Sequence, residues 1–340
     1  MNVVRPWPGL RKILVVRTDN IGDLVCTIPL IQGLRKTYPD SEIAVLANSY
    51  NRAVLDGHPD VDQVFAYTKR SHHESTGRLV RGSLAKIVTL ARLRFRRFDI
   101  AIAAATPASD RTLRTLRVTG ARDQLASTDK MPGLHEVERV WHLGKSLGLD
   151  GPPPAARIYP RRGLLAEFDA SIRRRLGPDR LPVAVHLSSR KPSQQWPTNH
   201  FVEFLHRTSK AHANLGFVLL WSPGESNDPA HPGDDRKAAD VLREAAGLPV
   251  VTCPTPTLPE TIGALAACRM FFGSDGGAMH LAAGLGLPIV CLFGASSASQ
   301  WHPWKTNHRL LQSPERDVTK IPPETVSDAV SDLLGQALLR

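Results

Sequence analysis

The stretch GSDGGAMHLAA, residues 273–283, decides how this chain folds, because it joins a predicted strand to a predicted helix through a glycine-rich turn. An apolar run, Arg269–Phe272, precedes it, and a second apolar run, Pro288–Phe293, follows it. The order strand, turn, helix and strand is the repeating unit of a doubly wound α/β domain. Free backbone N–H groups at the start of such a helix favour a phosphate. We therefore expect a phosphate-bearing ligand near Gly276 and Gly277, where backbone and ligand can approach closely.

Asp275 stands in the same turn and cannot serve the phosphate, because two negative charges repel each other. Its carboxylate either caps the helix or accepts a hydrogen bond from a sugar or ribose hydroxyl. The turn differs from the G-x-G-x-x-G fingerprint of dinucleotide enzymes, and the chain contains no P-loop. The sequence therefore gives no indication of a nicotinamide or flavin cofactor.

Composition and charge are typical of a globular protein with an acidic partner. The 340 residues are 42% apolar and 22% charged, which is enough for two cores, and the net charge is +11. Charge alone leaves three partners open: nucleic acid, an anionic membrane face or a phosphorylated substrate. No run approaches the ~20 apolar residues that span a bilayer, and Met1–Arg17 lacks the apolar core of a signal peptide. The four cysteines form no C-x-x-C pair, so we expect free thiols and a cytoplasmic protein.

Alternating strands and helices lie on both sides of three consecutive prolines, Pro152–Pro154, which stiffen a connection and exclude a helix. We expect two doubly wound domains with parallel sheets, residues 1–155 and 156–322, followed by a C-terminal helix at 323–340. The other predicted strands are Lys12–Val16, Glu42–Leu46, Gln63–Tyr67, Asp99–Ala104, Val183–Leu187, Phe217–Trp221 and Val250–Cys253.

The loop RTDNIGD, residues 17–23, follows the first predicted strand, at the edge where open parallel sheets bind ligands. An aspartate at this edge can be a general base if it meets a substrate hydroxyl. On these residues alone, capping of the next helix by Asp19, Asn20 or Asp23 is the simpler interpretation.

Two motifs resemble those of the family 9 glycosyltransferases, the heptosyltransferases of lipopolysaccharide synthesis. Asp275–Ala283 is similar to the family pattern Asp-Ser/Thr-Gly-x-x-His-Leu-x-Ala, with Gly276 in place of the hydroxyl residue. Arg17–Asp23 resembles the family loop Arg-x-Asp/Ser-x-x-Gly-Asp. The resemblance implies the GT-B fold, in which two Rossmann-like, doubly wound parallel-sheet α/β domains face each other across a cleft.

The resemblance also implies an activity: inverting transfer of a heptose from ADP-heptose to a hydroxyl of a lipopolysaccharide core or related glycan. Asp23 matches the family's catalytic base, and the transfer is implied to need neither metal nor cofactor. The residues implied to bind the acceptor, an acidic glycolipid, are Arg17, Thr18, Arg111 and Arg114. Those implied to bind the nucleotide-sugar donor are Ser188, Ser189, Arg190, Lys191, Glu225, Asp275, Gly276, Gly277 and His280.

The loop Ser188–Pro197 departs from the family in one respect that bears on the donor. Its hydroxyls and cations suit a diphosphate, although a plain surface loop has the same composition. The family ends this loop in Lys-x-Trp-Pro, and its lysine contacts the donor phosphates; here Gln194 stands in that position. Either Lys191 or Arg190 replaces the lysine, or phosphate binding differs in this chain.

A basic segment, residues 69–97, holds nine Lys or Arg residues against one acid, Glu74. We expect a helix over 84–98 with Leu84, Ile87, Val88, Ala91 and Phe95 on one side. Such a segment suits contact with an anionic membrane, although a solvated helix face is the simpler alternative. Aromatic residues do not interleave with the basic ones as single-stranded nucleic acid would require, so we expect no nucleic-acid partner.

Three alternatives stay open at this stage. The chain is a transferase with a different nucleotide-sugar donor, a non-catalytic member of the same fold, or an unrelated nucleotide-dependent α/β enzyme such as an oxidoreductase. The departures at Gly276 and Gln194 favour the first two over the third. The donor sugar, the acceptor position and the oligomeric state cannot be inferred from these motifs. If the acceptor is a glycolipid, the protein works at the inner face of the inner membrane.

Overall fold

The structure, a computed structural model, describes residues 7, 9–67, 76–228 and 233–338. The chain forms two compact units, Met1–Tyr159 and Pro160–Arg340. Their boundary lies beyond the three prolines, whereas the sequence places it between residues 155 and 156. Within the described ranges, every helix is too short or too polar to cross a membrane. Of the basic segment 69–97, residues 69–75 lie outside the described residues.

The first unit is a five-stranded parallel sheet with the strand order β3-β2-β1-β4-β5. Its strands are β1 Lys12–Val16, β2 Glu42–Asn48, β3 Gln63–Tyr67, β4 Ile100–Ala103 and β5 Asp123–Leu125. Its helices are α1 Ile21–Thr37, α2 Thr76–Arg96, α3 Asp110–Thr119 and α4 Glu136–Gly144. The chain winds outward from β1 in both directions, so the switch point of the sheet lies between β1 and β4.

The second unit is a six-stranded parallel sheet with the order β11-β10-β9-β6-β7-β8. Its strands are β6 Leu181–His186, β7 Leu215–Trp221, β8 Val250–Pro254, β9 Met270–Ser274, β10 Ile289–Phe293 and β11 His308–Gln312. Its helices are α5 Arg162–Leu176, α6 Thr198–Ala211, α7 Asp235–Glu244, α8 Leu258–Ala266, α9 Gly277–Gly284, α10 Ala298–Trp301 and α11 Pro323–Leu338. The switch point here lies between β6 and β9.

Aromatic packing beneath the second sheet holds the loop that follows β6. The indole of Trp196 is buried and meets Phe201 and Phe272 edge-on, with ring centroids 4.9 and 5.4 Å apart. Its Nε1 donates to the carbonyl oxygen of Ile321 at 3.0 Å. Edge-to-face aromatic pairs add about 0.5–1.5 kcal/mol each beyond the area that they bury. The end of the donor loop predicted from the sequence is therefore fixed to the core.

The described structure differs from the predicted elements at three places. The edge strands β5 and β11 were not predicted, because DQL and HRLLQ carry polar residues and stay half-exposed. The helix predicted over 84–98 is α2, which begins at Thr76 and ends at Arg96, so Phe98 lies beyond it and is buried in the core. The strand before the glycine-rich turn extends to Ser274, so the turn begins at Asp275.

Candidate active site

Asp23 lies in the first turn of α1, at the carboxyl edge of the first sheet. Its Oδ2 accepts a hydrogen bond from the backbone N–H of Asn20 at 3.0 Å, so the capping role considered from the sequence is present. Its Oδ1 accepts from Nη2 of Arg17 at 2.5 Å. The side chain keeps 12% of its surface exposed. Capping and chemistry are therefore compatible at this residue, because the cap fixes the carboxylate while part of it remains open to a ligand.

The guanidinium of Arg17 is the centre of a buried charge cluster at the switch point. It is 3% exposed, and its Nη1 donates to the carbonyl oxygen of Ala104 at the end of β4. Its Nη2 also donates to Oε1 of Glu136 at 2.9 Å, and its Nε lies 3.3 Å from Oδ2 of Asp19. Three carboxylates thus surround one cation. Arg17 holds Asp23 in place, and its predicted contact with the acceptor stays a prediction.

The electrostatics of this cluster keep Asp23 ionised. Burial opposes the charge on Asp23, but the Arg17 cation and the hydrogen bond from Asn20 outweigh it and lower the pKa of the carboxyl below its usual range. Burial likewise opposes the charge on Arg17, but Asp23, Glu136 and Asp19 outweigh it and raise the pKa of the guanidinium. Asp23 is therefore a carboxylate near neutral pH, which is the state that a general base requires.

Sequence reasoning missed Glu136, which is buried at the start of α4. It lies 119 residues from Arg17 along the chain, and its partner is set only by the packing of α4 on α1. One signal was present: an acid in the first turn of a helix whose other residues are largely apolar. That pattern is also typical of an ordinary helix N-terminus.

The other predicted acceptor residues lie in the same unit. The Thr18 side chain is half-buried, and its backbone carbonyl accepts from Nδ2 of Asn48 at 2.7 Å. Arg111 and Arg114 are exposed on α3, where Nε of Arg114 donates to the carbonyl oxygen of Asp110 at 3.3 Å. Their contact with an acceptor stays a prediction.

The two loops at the switch point of the second sheet meet through Gln194. This buried amide donates to Oδ2 of Asp275 at 2.7 Å and to Oγ of Ser296 at 2.9 Å. Nζ of Lys191 lies 3.3 Å from the same Ser296 hydroxyl. The cap of α9 is Gly276 rather than Asp275, so the capping interpretation of Asp275 was wrong. The carboxylate is instead held by an amide, with its other oxygen left to accept a hydroxyl.

Backbone contact ties these loops together a second time. A Cβ placed on Gly294, directly after β10, would overlap the carbonyl oxygen of Ser193. The backbone N–H of Ala295 also donates to Oγ of Ser193 at 3.3 Å. Glycine is needed at position 294 because the two chains approach too closely for any side chain.

The predicted donor residues of the loop after β6 fall into two groups. The Ser188 hydroxyl accepts from the backbone N–H of Ser222 at 2.9 Å and bonds to the carboxyl of Asp234. It therefore joins the ends of β6 and β7, and any contact with a donor stays a prediction. The Ser189 hydroxyl lies 3.5 Å from Oε1 of Gln194. Arg190 and Lys191 are exposed, as the charges of a phosphate-binding loop need to be.

Lys237 on α7 supports this loop and was not predicted. Its Nζ donates to the carbonyl oxygens of Trp196 at 2.8 Å and Leu187 at 3.4 Å, and it lies 4.8 Å from the centroid of the Phe201 ring. Burial lowers the pKa of the ammonium to about 8 against the opposing charge of Asp234. The two carbonyls belong to the two ends of the loop 188–195, so Lys237 closes its base. Partners so distant in sequence leave no local pattern to detect.

The remaining predicted donor residues lie at or near the carboxyl ends of β7 and β9. Glu225 is exposed in the turn after β7, while Gly276 and Gly277 open α9 with their backbone N–H groups. His280 is buried on α9, with its ring centroid 6.0 Å from that of Trp301. The role of each in donor binding stays a prediction.

Known proteins resemble this chain along most of its length. The chain is 23% identical to lipopolysaccharide heptosyltransferase 3 of Escherichia coli over 315 residues, which cover 84% of each protein. Its fold is similar to that of a family 9 glycosyltransferase from Veillonella parvula DSM 2008, with a TM-score of 0.81, 17% identity and coverage of 96% of this chain and 98% of the other. It is also similar to E. coli ADP-heptose lps heptosyltransferase II, with a TM-score of 0.74, 21% identity and coverage of 96% and 99%.

These structural likenesses identify the fold, two parallel-sheet α/β domains of the GT-B type. The family described as glycosyltransferase family 9 (heptosyltransferase) matches residues 120–325, which include the whole switch point of the second sheet. The chain therefore belongs to glycosyltransferase family 9, the heptosyltransferase family, and is an enzyme of the glycosyltransferase class.

Proposed function

We propose that this enzyme transfers a heptose from ADP-heptose to a hydroxyl of a lipopolysaccharide core or related glycan, with inversion at the anomeric carbon. One observation carries the proposal: an ionised, partly exposed aspartate is clamped at the switch point of the first sheet. The family and the name of E. coli ADP-heptose lps heptosyltransferase II support the choice of donor. The name of the E. coli heptosyltransferase 3 supports the choice of acceptor.

In this mechanism the first unit supplies the base and the second binds the donor. Asp23 takes the proton of the acceptor hydroxyl, and the oxygen attacks the anomeric carbon as the bond from that carbon to the diphosphate oxygen breaks. ADP leaves with the electron pair of that bond. Asp23 then returns its proton to solvent. Alignment of the hydroxyl, the anomeric carbon and the leaving oxygen supplies much of the acceleration.

The leaving diphosphate gains negative charge, which the second unit is built to stabilise. The backbone N–H groups of Gly276 and Gly277 open α9, and the exposed Arg190 and Lys191 supply cations. Asp275 accepts a donor hydroxyl while Gln194 holds its other oxygen. Glu225 accepts from the ribose.

We place the reaction in the cytoplasm, at the inner face of the inner membrane. The four cysteines are free and buried, as in a reducing compartment. A lipopolysaccharide acceptor is an acidic glycolipid, so the basic segment 69–97 would contact the anionic membrane that carries it.

A second candidate is the same fold with a different donor or without turnover, and the departures at Gly276 and Gln194 favour it. Thermal unfolding with ADP-, UDP- and GDP-sugars separates the two, because a ligand that binds only the native state raises Tm. We expect ADP-heptose to raise it, by about 2.7 kcal/mol of added stability at a concentration of 100 Kd. A shift with a UDP- or GDP-sugar instead would overturn the donor. No shift with any sugar, with or without acceptor, would favour the non-catalytic candidate.

Replacing Gln194 by alanine tests the donor network. The variant loses the charge-assisted hydrogen bond to Asp275, worth about 1.5 kcal/mol, so the Kd for the donor should rise about tenfold. Gln195→Ala is the matched control: its exposed amide donates to the carbonyl of Ser189 at 3.1 Å and should leave the Kd nearly unchanged. Titration calorimetry measures both. Equal affinities in the two variants would show that Asp275 needs no positioning.

A further inference from the structure

Helix α2 has two apolar faces, and only one of them is packed on the sheet. Leu93 is fully buried and Leu90 packs beside it. On the other face, Ile87, Val88 and Phe95 are 63%, 43% and 85% exposed. A single exposed apolar side chain is ordinary, but several in one place indicate a binding surface.

The exposed residues form a continuous stripe. At about 100° per residue, Ile87 and Val88 mark its two edges, and Ala91 and Phe95 fall between them. Ala91 is exposed as well. Arg92 and Arg94, both exposed, lie just outside the two edges of the stripe. An apolar stripe flanked by arginines is the pattern of helices that lie in the plane of a membrane interface.

The neighbouring helix α3 extends the same surface. The Arg94 side chain lies against Gly120 at the end of α3, within 3.0 Å of where a Cβ would be. Val118 on α3 is exposed, and so are three arginines of that helix, Arg111, Arg114 and Arg117. Residues 85–122 hold nine Lys or Arg against two acids, Asp99 and Asp110. The carboxylate of Asp99 is occupied by the backbone N–H groups of Arg11 and Lys12.

We propose that α2 and α3 bind the surface of an anionic lipid bilayer, with Ile87, Val88, Ala91 and Phe95 entering the interface between headgroups and acyl chains. Charge decides the occupant. A second copy of this chain would bring arginines against arginines, whereas anionic headgroups neutralise them while the acyl region takes the apolar stripe. The inference deepens the proposed function and rests on it for the source of the lipid, the membrane that carries a glycolipid acceptor.

Sedimentation of the full chain with lipid vesicles tests the surface directly. We expect binding to vesicles of 30% phosphatidylglycerol in phosphatidylcholine, and little binding to phosphatidylcholine alone. Phe95→Ser should lower the partition coefficient about tenfold or more, because a large apolar side chain leaves the interface. Leu181→Ser removes a side chain that is 40% exposed on β6 in the second unit, and should leave the coefficient unchanged. Thermal unfolding of both variants checks that each is folded.

A second readout locates the stripe in the bilayer. All four native cysteines are buried, and burial raises the thiol pKa of Cys253 to about 11 and those of Cys268 and Cys291 further. A polarity-sensitive dye will therefore attach to the thiol introduced by Phe95→Cys. Its emission should shift to the blue on anionic vesicles, and the same dye on Leu181→Cys should not shift.

Two outcomes would overturn the proposal: no binding to anionic vesicles, or binding with no change at the Phe95→Cys dye. The proposed function fails separately, since transfer to a water-soluble glycan acceptor needs no membrane. Phe95→Ser should retain that soluble activity. Vesicle binding without any transfer would leave the surface standing and remove the transferase assignment of the donor and acceptor.

Discussion

Replacement of Asp23 by asparagine should lower kcat about 10³-fold while donor affinity stays close to that of the unchanged enzyme. The amide keeps the size of the side chain and can still accept from the N–H of Asn20, but it cannot take a proton from the acceptor. Arg17 keeps Glu136 and Asp19 as counter-charges, so the fold should survive. Single-turnover rates give the chemical step, and donor titration gives the affinity.

Asp19→Asn is the matched control, because it changes the same chemical group in the same loop. Asp19 is much more exposed than Asp23, and its carboxylate lies 3.3 Å from Nε of Arg17. We expect its kcat to fall only a few fold. A 10³-fold loss in Asp19→Asn, or a small loss in Asp23→Asn, would reject Asp23 as the base.

The pH profile of the unchanged enzyme follows from the same site. The pKa of Asp23 is lowered in the folded chain, so the acid limb of kcat/KM should lie below the usual range of aspartate. The stability linked to Asp23 has the matching sign: it is present above the unfolded pKa and is lost as pH falls through the lower folded pKa.

Replacement of Arg17 by methionine should lower the free energy of unfolding by about 3–5 kcal/mol at pH 7. The substitution leaves the carboxylates of Asp23 and Glu136 close together in a largely buried place with no cation between them. The deficit should shrink as pH falls, because burial without Arg17 raises the pKa of both carboxyls above their unfolded values. Urea denaturation at pH 7 and pH 5 measures both effects.

Two further variants sharpen this prediction. Adding Glu136→Gln to Arg17→Met removes one of the uncompensated charges and should recover part of the lost stability at pH 7. Arg173→Met breaks an exposed ion pair with Asp169, whose N–O distance is 2.9 Å, and should cost about 1 kcal/mol or less. If Arg17→Met costs no more than Arg173→Met, the buried cluster does not hold this edge of the sheet together.

Sequence reasoning found the parts of the site that lie within one loop. Arg17–Asp23 and Asp275–Gly277 each follow a central parallel strand, and such strands are recognisable because they are apolar on both faces. The loop itself then supplies the polar groups, so their position at the edge of the sheet follows from the chain order.

Groups that act from a distant segment could not be found in this way. Glu136 reaches Arg17 from α4, and Lys237 reaches the donor loop from α7. Their roles depend on helix packing, which local spacing does not encode. The stripe on α2 illustrates the same limit: the sequence shows an apolar face, but only the structure shows that a different face, with Leu93, is the one packed on the sheet.

The contact between Gly294 and Ser193 limits how the specificity of this enzyme can be altered by mutation. Libraries that diversify residue 294 would be dominated by unfolded clones, since any side chain there displaces the neighbouring loop. Exposed positions such as Arg190 and Lys191 carry no such penalty. Directed evolution toward a new donor should therefore randomise the outer part of this loop and leave its glycine contact untouched.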